Sequence, residues 1–322
     1  MRKSLTTIAV LIFAASVGAT ESDHIERASS LVGSGRFSEA KSLLESEVAI
    51  EPRNAEGFFL LGQAQLGLRD PQSAMNSFER AIEILPEAST HHLWLARAAA
   101  AASVDAGLLS RGLLARTTRR ELQNAIDLNP ADVEARLDLI RFFSVAPAIV
   151  GGGRDRAYAE ATRLNVISAG DARLGFGIIA WSEGNFDAAV EHFRSAVQSA
   201  KERKRAWLWL GYGMQRLHRW GEAFDAHESL GRVPNAGMHA CFETGRTTVF
   251  SGVRLDEGRK CLERYTRHAP RLGEPSIAGA YLYLGRLERR AGNLAIARRH
   301  FLTAARLDPR SEEIQDEVEA MP

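Results

Sequence analysis

The chain has 322 residues, 45% hydrophobic and 25% charged, the balance of an ordinary globular protein. Its 41 Lys and Arg against 40 Asp and Glu leave a formal charge of +1. That near-neutrality excludes the basic surplus of a generic nucleic-acid binder.

Residues 1–19 read as a secretory signal peptide. Arg2 and Lys3 give a basic start, Ile8 to Ala15 an apolar core, and Val17-Gly18-Ala19 a small-residue site with cleavage after Ala19. The apolar run falls short of the roughly 20 residues that span a bilayer. No cysteine stands near the site to carry a lipid, and no later stretch is apolar enough to span. Removing the segment leaves 39 basic against 40 acidic residues. The expectation is a periplasmic or secreted protein with no membrane insertion after cleavage and no nucleic-acid partner.

The remaining chain repeats itself. A first unit, about 21–54, turns at Gly35-Arg36-Phe37 and keeps Ala40 twelve residues before Pro52, with Glu47 where a small residue is expected. The second, about 55–88, is cleaner. Gly62 stands 24 residues before Pro86, and Ala74, Phe78, Ala81 and Pro86 follow at intervals of four, three and five. Small residues let two antiparallel helices approach closely, Phe78 fills the space between them, and Pro86 ends the unit. The third unit, about 89–132, aligns Ala96 with Gly62 but reaches Pro130 after 34 residues, so ten extra lie near 103–117.

The fourth unit, about 133–168, is interrupted by about five residues within 146–156 before Ala157 and Ala161 resume the pattern. The fifth, about 169–202, is regular through Gly177, Ala189, Phe193 and Ala196. The sixth, about 203–236, has Gly211 and Ala223, and the seventh, about 237–276, is degenerate, with Gly258 where Ala is expected. In the eighth, about 277–310, Gly285, Ala297, Phe301, Ala304 and Pro309 restore the spacing of the second. Residues 311–322 read as a polar capping helix with Ser311 as its cap. One such hairpin cannot bury its own apolar face, and stacked neighbours do so.

These residues resemble the tetratricopeptide repeat, a helix–turn–helix of about 34 residues. The resemblance implies an all-α, right-handed superhelical solenoid of about eight hairpins. The stretch from Trp94 through Pro147-Ala148-Ile149-Val150-Gly151-Gly152-Gly153 further resembles exported bacterial members with an elongated repeat and a P-x-I-x-GGG loop, which implies no known reaction.

Chemistry is sparse. The run Gly151–Gly153 is followed by Arg154-Asp155, not by the Lys and Ser/Thr a phosphate loop requires. Nine histidines are scattered without H-E-x-x-H, and His91-His92 point in different directions on a helix. No G-x-S-x-G occurs. No catalytic residue, metal or cofactor is expected. Cys241 and Cys261 fall on the two helices of one hairpin, so they form either a disulfide or two buried thiols. Trp94, Trp207, Trp209 and Trp220 read as packing residues.

In the resembled family, the residue after the close-packing small position lines a concave groove made by the first helices. Here that position holds Arg97, Arg141, Arg246 and Arg286. Arg216, Arg289 and Arg290 lie one turn on, and Trp181 and Tyr212 share the predicted face. Such a groove suits an acidic peptide or a terminal carboxylate. The same arginines could instead pair with acids of neighbouring repeats. Chaperone-binding relatives use Asn at this position, so that partner class does not carry over. The expectation is a non-catalytic exported scaffold for an extended or acidic segment of another protein. The alternatives are an accessory subunit that binds through its outer surface, and a small-anion binder or enzyme.

Overall fold

A computed structural model of the chain describes residues 23–321; the predicted leader, residues 1–19, lies outside them. The described residues contain helices and no strand, and they divide after Pro130 into two compact units.

The first unit comprises a helix seen over 23–33 (α1), then α2 (Phe37–Ile50), α3 (Ala55–Gly67), α4 (Pro71–Ile84), α5 (Ser89–Ala102) and α6 (Leu108–Leu128). From α2 onward each helix packs on the next. The sequence sets the boundaries locally. Helices α2, α4 and α6 stop two residues before Pro52, Pro86 and Pro130, because the residue before proline is driven out of helical geometry. Helices α3 and α4 start where Asn54 and Asp70 accept bonds from the backbone N–H groups of Gly57, at 2.8 Å, and Ser73, at 3.1 Å.

Phe78 is fully buried among Ala74, Met75, Leu95 and Ala98. A Cβ on Gly62 would stand 2.6 Å from the Phe78 ring, so the glycine is what lets α3 and α4 close over it. Glu47, the departure in the first repeat, is buried and meets His24 at 3.1 Å. The ten extra residues of the third repeat go into the α5–α6 corner and into α6, which has 21 residues where α4 has 14.

The second unit comprises α7 (Val133–Val145), a 3-10 turn at Ala148–Val150, α8 (Arg154–Ile167), α9 (Ala169–Ser182), α10 (Phe186–Ser199), α11 (Arg203–Arg216) and α12 (Trp220–Gly231). It continues with α13 (Gly237–Ser251), α14 (Leu255–Tyr265), α15 (Ile277–Arg290), α16 (Leu294–Leu307) and α17 (Glu312–Glu319). Again successive helices pack pairwise. Phe193 and Phe301 take the place of Phe78 beneath Gly177 and Gly285, whereas His227 and Leu262 take it beneath Gly211 and Gly245. Ser311 stands at the start of α17, but its hydroxyl makes no bond to the helix.

The glycine run turns inward. Its three N–H groups donate to the carbonyls of Ala148, Pro147 and Phe143 at 2.9 to 3.1 Å, so none is left to face a phosphate.

Candidate functional site

Helices α9, α11 and α13 line a cavity of about 610 Å³ bounded by Trp181, Trp209, Tyr212, Gln215, Arg216, Arg246 and Phe250, with His218 and Trp220 from the turn into α12. On α11, Trp209, Tyr212 and Arg216 recur at helical spacing and so share one face. On α13, Arg246 and Phe250 lie one turn apart. Helix α9 is registered against α11 by Asp171. Its buried carboxylate accepts from the N–H groups of Lys201, at 3.1 Å, and Glu202, at 3.0 Å, at the entry to α11. A carboxylate there also complements the positive end of that helix.

The aromatic floor is continuous. Trp209 lies against Trp181 and stacks on Phe193, with ring centroids 5.5 Å apart in both cases, and meets Tyr212 at 6.1 Å. Phe186 adjoins this floor, 5.0 Å from Trp181, and two guanidiniums stand on the rings, Arg216 over Phe186 at 4.7 Å and Arg246 over Tyr212 at 4.5 Å. They differ in what holds them. Arg246 has its Nε 3.1 Å from Glu243 Oε2, and its Nη2 donates to Gln215 Oε1 at 3.0 Å. Arg216 is exposed and has no ion pair among the described residues.

Beneath Arg246 lies a buried polar chain. The Tyr212 hydroxyl donates to Glu243 at 3.1 Å, and Gln215 Nε2 donates to Thr247 Oγ1 at 2.6 Å. His227 Nε2 lies 2.8 Å from that hydroxyl and 3.2 Å from Gln215 Nε2. Two donors facing one ring nitrogen are satisfied when that nitrogen carries no proton. Burial, with Arg246 and His239 adding to it, pushes the His227 pKa down to about 3. Burial likewise lowers His239 to about 4, with Lys204 contributing. Burial raises the Glu243 carboxyl, against the opposing pull of Arg246 and the Tyr212 hydrogen bond, and raises the Tyr212 phenol.

The structure therefore brings together four of the residues nominated from sequence: Trp181, Tyr212, Arg216 and Arg246. The others lie elsewhere. Arg97 is in the first unit, its guanidinium 5.0 Å from the Trp94 ring. Arg141 is exposed on α7. Arg286 pairs with Glu313 and Glu317 of α17, Arg289 also pairs with Glu317, and Arg290 donates to the Val249 carbonyl. The acids of the last helix thus take two arginines nominated for a partner.

Trp209 and Trp220, read as packing residues, also line the cavity. The signal for Trp209 was its position three residues before Tyr212. Glu243 was not nominated at all. It stands two residues before Gly245, where Leu60, Trp209 and Tyr283 stand before their glycines, so an acid in an apolar column was the available sign.

Cys241 and Cys261 are joined as a disulfide between α13 and α14, with Cα atoms 5.0 Å apart. Among the described residues no cluster of three or more His, Cys, Asp and Glu is placed to hold a metal ion, and no helix is long and apolar enough to cross a membrane.

A tetratricopeptide repeat profile matches residues 25–89, 59–106, 174–212 and 254–312, together more than half of the chain. The chain is similar to intraflagellar transport protein 70B of Rattus norvegicus, 23% identical over 175 residues, 53% of this chain and 24% of that protein. It is similar to the peroxisomal targeting signal receptor of Eremothecium gossypii, 23% identical over 235 residues, 72% of this chain and 38% of the receptor. It therefore spans well under half the length of these relatives. Among solved structures it resembles a thermophilic tetratricopeptide repeat protein of Thermus thermophilus, with a TM-score of 0.49, 20% identity, and 60% of this chain and 98% of that one covered. It also resembles a tetratricopeptide repeat protein of Parabacteroides merdae, with a TM-score of 0.47, 15% identity, and 94% and 98% covered.

Proposed function

Because the chain belongs to the tetratricopeptide repeat family, whose members mediate protein–protein interaction, we propose that it is an exported, non-catalytic scaffold that holds an extended, acidic segment of a partner protein between α9, α11 and α13. The observation that carries this reading is the pairing, in one cavity, of an aromatic floor with a guanidinium that has no carboxylate of its own, Arg216. An apolar side chain of the partner enters between Trp181, Trp209 and Tyr212, and a neighbouring carboxylate takes Arg216. Buried aromatic and arginine contacts are where binding energy concentrates. Arg246 is held in place by Glu243 and Gln215, so little side-chain entropy is lost when it meets a ligand. Export rests on the leader pattern of residues 1–19, which supports a periplasmic or secreted location. The elongated third repeat and the loop ending in Gly151–Gly153 support kinship with exported bacterial members.

The test begins with crosslinking and capture of the partner from the exported fraction, followed by titration of the purified partner. Arg216→Glu is expected to weaken binding at least tenfold, about 1.4 kcal/mol or more, with no loss of thermal stability, since the side chain is exposed. Unchanged affinity would move the docking site to the outer surface and overturn the groove reading.

A further inference from the structure

The first unit carries a second feature that the groove does not absorb. Helix α6 is seven residues longer than α5, its partner in the hairpin, about 10 Å of additional helix at about 1.5 Å per residue. Its first two turns carry Leu108, Leu109 and Leu113, which are 85%, 88% and 64% exposed, and Val104 just before them is 71% exposed. At about 100° per residue these leucines share a face with Arg116, Arg119 and Arg120 on the following turns. Thr118, Leu122 and Ala125 form the opposite, buried face. No acid lies between Asp105 and Glu121. Arg120 pairs with Glu121, whereas Arg116 and Arg119 are exposed and have no ion pair among the described residues.

The start of α6 is also held firm. Arg111 gathers the carbonyls of Ser103, Val104 and Ala106 at 3.2 to 3.3 Å and so fixes the corner between α5 and α6. The result is an ordered helix end with leucines at its tip and a collar of unpaired cations one to three turns behind them.

We propose that this end of α6 docks on an anionic lipid surface, with Leu108, Leu109 and Leu113 entering the boundary between headgroups and acyl chains while Arg116 and Arg119 meet lipid phosphates. Interfacial helices bury an apolar face about 5–10 Å into that boundary with basic residues beside it, the combination that this stretch of α6 presents. The charge argues for lipid over a second copy of the chain, since two such faces in contact would oppose arginine to arginine. The shape argues for lipid over a partner protein. A projecting end offers no concavity to grip a chain, and a fluid surface needs none. Two weak signals, apolar and basic, acting together are what reversible anchoring requires.

The test is flotation of the full chain with vesicles of phosphatidylcholine mixed with phosphatidylglycerol, compared with phosphatidylcholine alone. Hydrogen exchange is read over residues 104–120 in the same samples. The chain is expected to float with the mixed vesicles, to release as ionic strength rises from about 0.01 M to about 1 M, and to show amide protection within 104–120. The paired variants Leu109→Ser with Leu113→Ser, and Arg116→Glu with Arg119→Glu, are each expected to lower vesicle binding about tenfold while melting as the parent does. Both variants keep residues 1–19, so any pull from that segment cancels. Equal flotation of parent and variants, or flotation without protection at 104–120, would overturn the proposal. So would absence of flotation combined with loss of the captured partner in the leucine variant, which would make this face a protein-docking surface.

Discussion

Beneath Gly62 the space between α3 and α4 is filled by the Phe78 ring; beneath Gly211 the same space between α11 and α12 is filled by His227. Both rings are fully buried, and a Cβ on the glycine above would stand 2.6 Å from the Phe78 ring and 2.5 Å from the His227 ring. Their surroundings differ. Phe78 meets Ala74, Met75, Leu95 and Ala98, while His227 reaches Thr247 and Gln215, the second of which accepts from Arg246. The first hairpin spends its interior on apolar burial. The second spends it on fixing a guanidinium at the edge of a cavity. Buried polar chains of this kind contribute less to stability than a packed ring of equal volume, and what they supply is position.

The largest expected effect tests the apolar side of that comparison. Phe78→Ala removes a fully buried aromatic ring beneath a glycine that cannot move in to replace it, and should cost about 3–5 kcal/mol in urea unfolding. His227→Phe should instead cost about 1–3 kcal/mol at neutral pH, because a ring still fills the same place and Gln215 and Thr247 keep their mutual bond, but the two donors that faced the imidazole nitrogen lose their acceptor. A loss as large as that of Phe78→Ala would show that the polar interior stabilises as strongly as the apolar one.

The next effect is the acid side of the stability curve. In the fold His227 keeps a pKa of about 3 and His239 of about 4, both below the unfolded value near 6.5. Depressed values mean that the unfolded chain takes protons the folded chain refuses. Stability contributed by the neutral rings is present above about pH 6.5 and drains away as pH falls toward 4, at about 1.4 kcal/mol per pH unit for each histidine. His227→Phe removes one of the two contributions, so its curve should be shallower by about 1.4 kcal/mol per pH unit in that window. Glu243 is common to parent and variant, so its opposing trend cancels. Parallel curves would mean that His227 is protonated in the folded protein, and the polar chain as described would be wrong.

How much of this was legible depends on how local each feature is. The hairpins were readable because their causes sit within one repeat: Gly62 over Phe78, Gly285 over Phe301, and prolines two residues past the helix ends. Four of the nine residues that line the cavity were readable for the same reason. Trp181, Tyr212, Arg216 and Arg246 occupy corresponding faces of first helices, and stacking brings those faces together. Glu243 was not readable, because an acid in an apolar column becomes meaningful only when Tyr212 and Arg246, about thirty residues apart in sequence, both turn toward it. That Arg286 could pair within the chain was an open alternative, but the acids it meets were not readable, for a related reason. The pattern showed α17 to be polar, but not that Glu313 and Glu317 fold back onto α15.

That fold-back supplies the smallest prediction and the sharpest control on the groove. Arg289 shares Glu317 with Arg286, whose Nε lies 2.6 Å from the other carboxylate oxygen. Removing Arg289 therefore leaves the buried Glu317 paired, and Arg289→Ala should cost less than about 1 kcal/mol, because the arginine itself is exposed and no carboxylate is stranded. It should also leave partner affinity unchanged, because its charge is already answered within the chain. Arg216→Glu should do the reverse, sparing the melting temperature and weakening binding. If Arg289→Ala weakened binding as much as Arg216→Glu does, α17 would have to leave its arginines when the partner arrives. The acidic helix would then be a stand-in for the ligand, and the comparison between satisfied and unsatisfied arginines would become a competition between them.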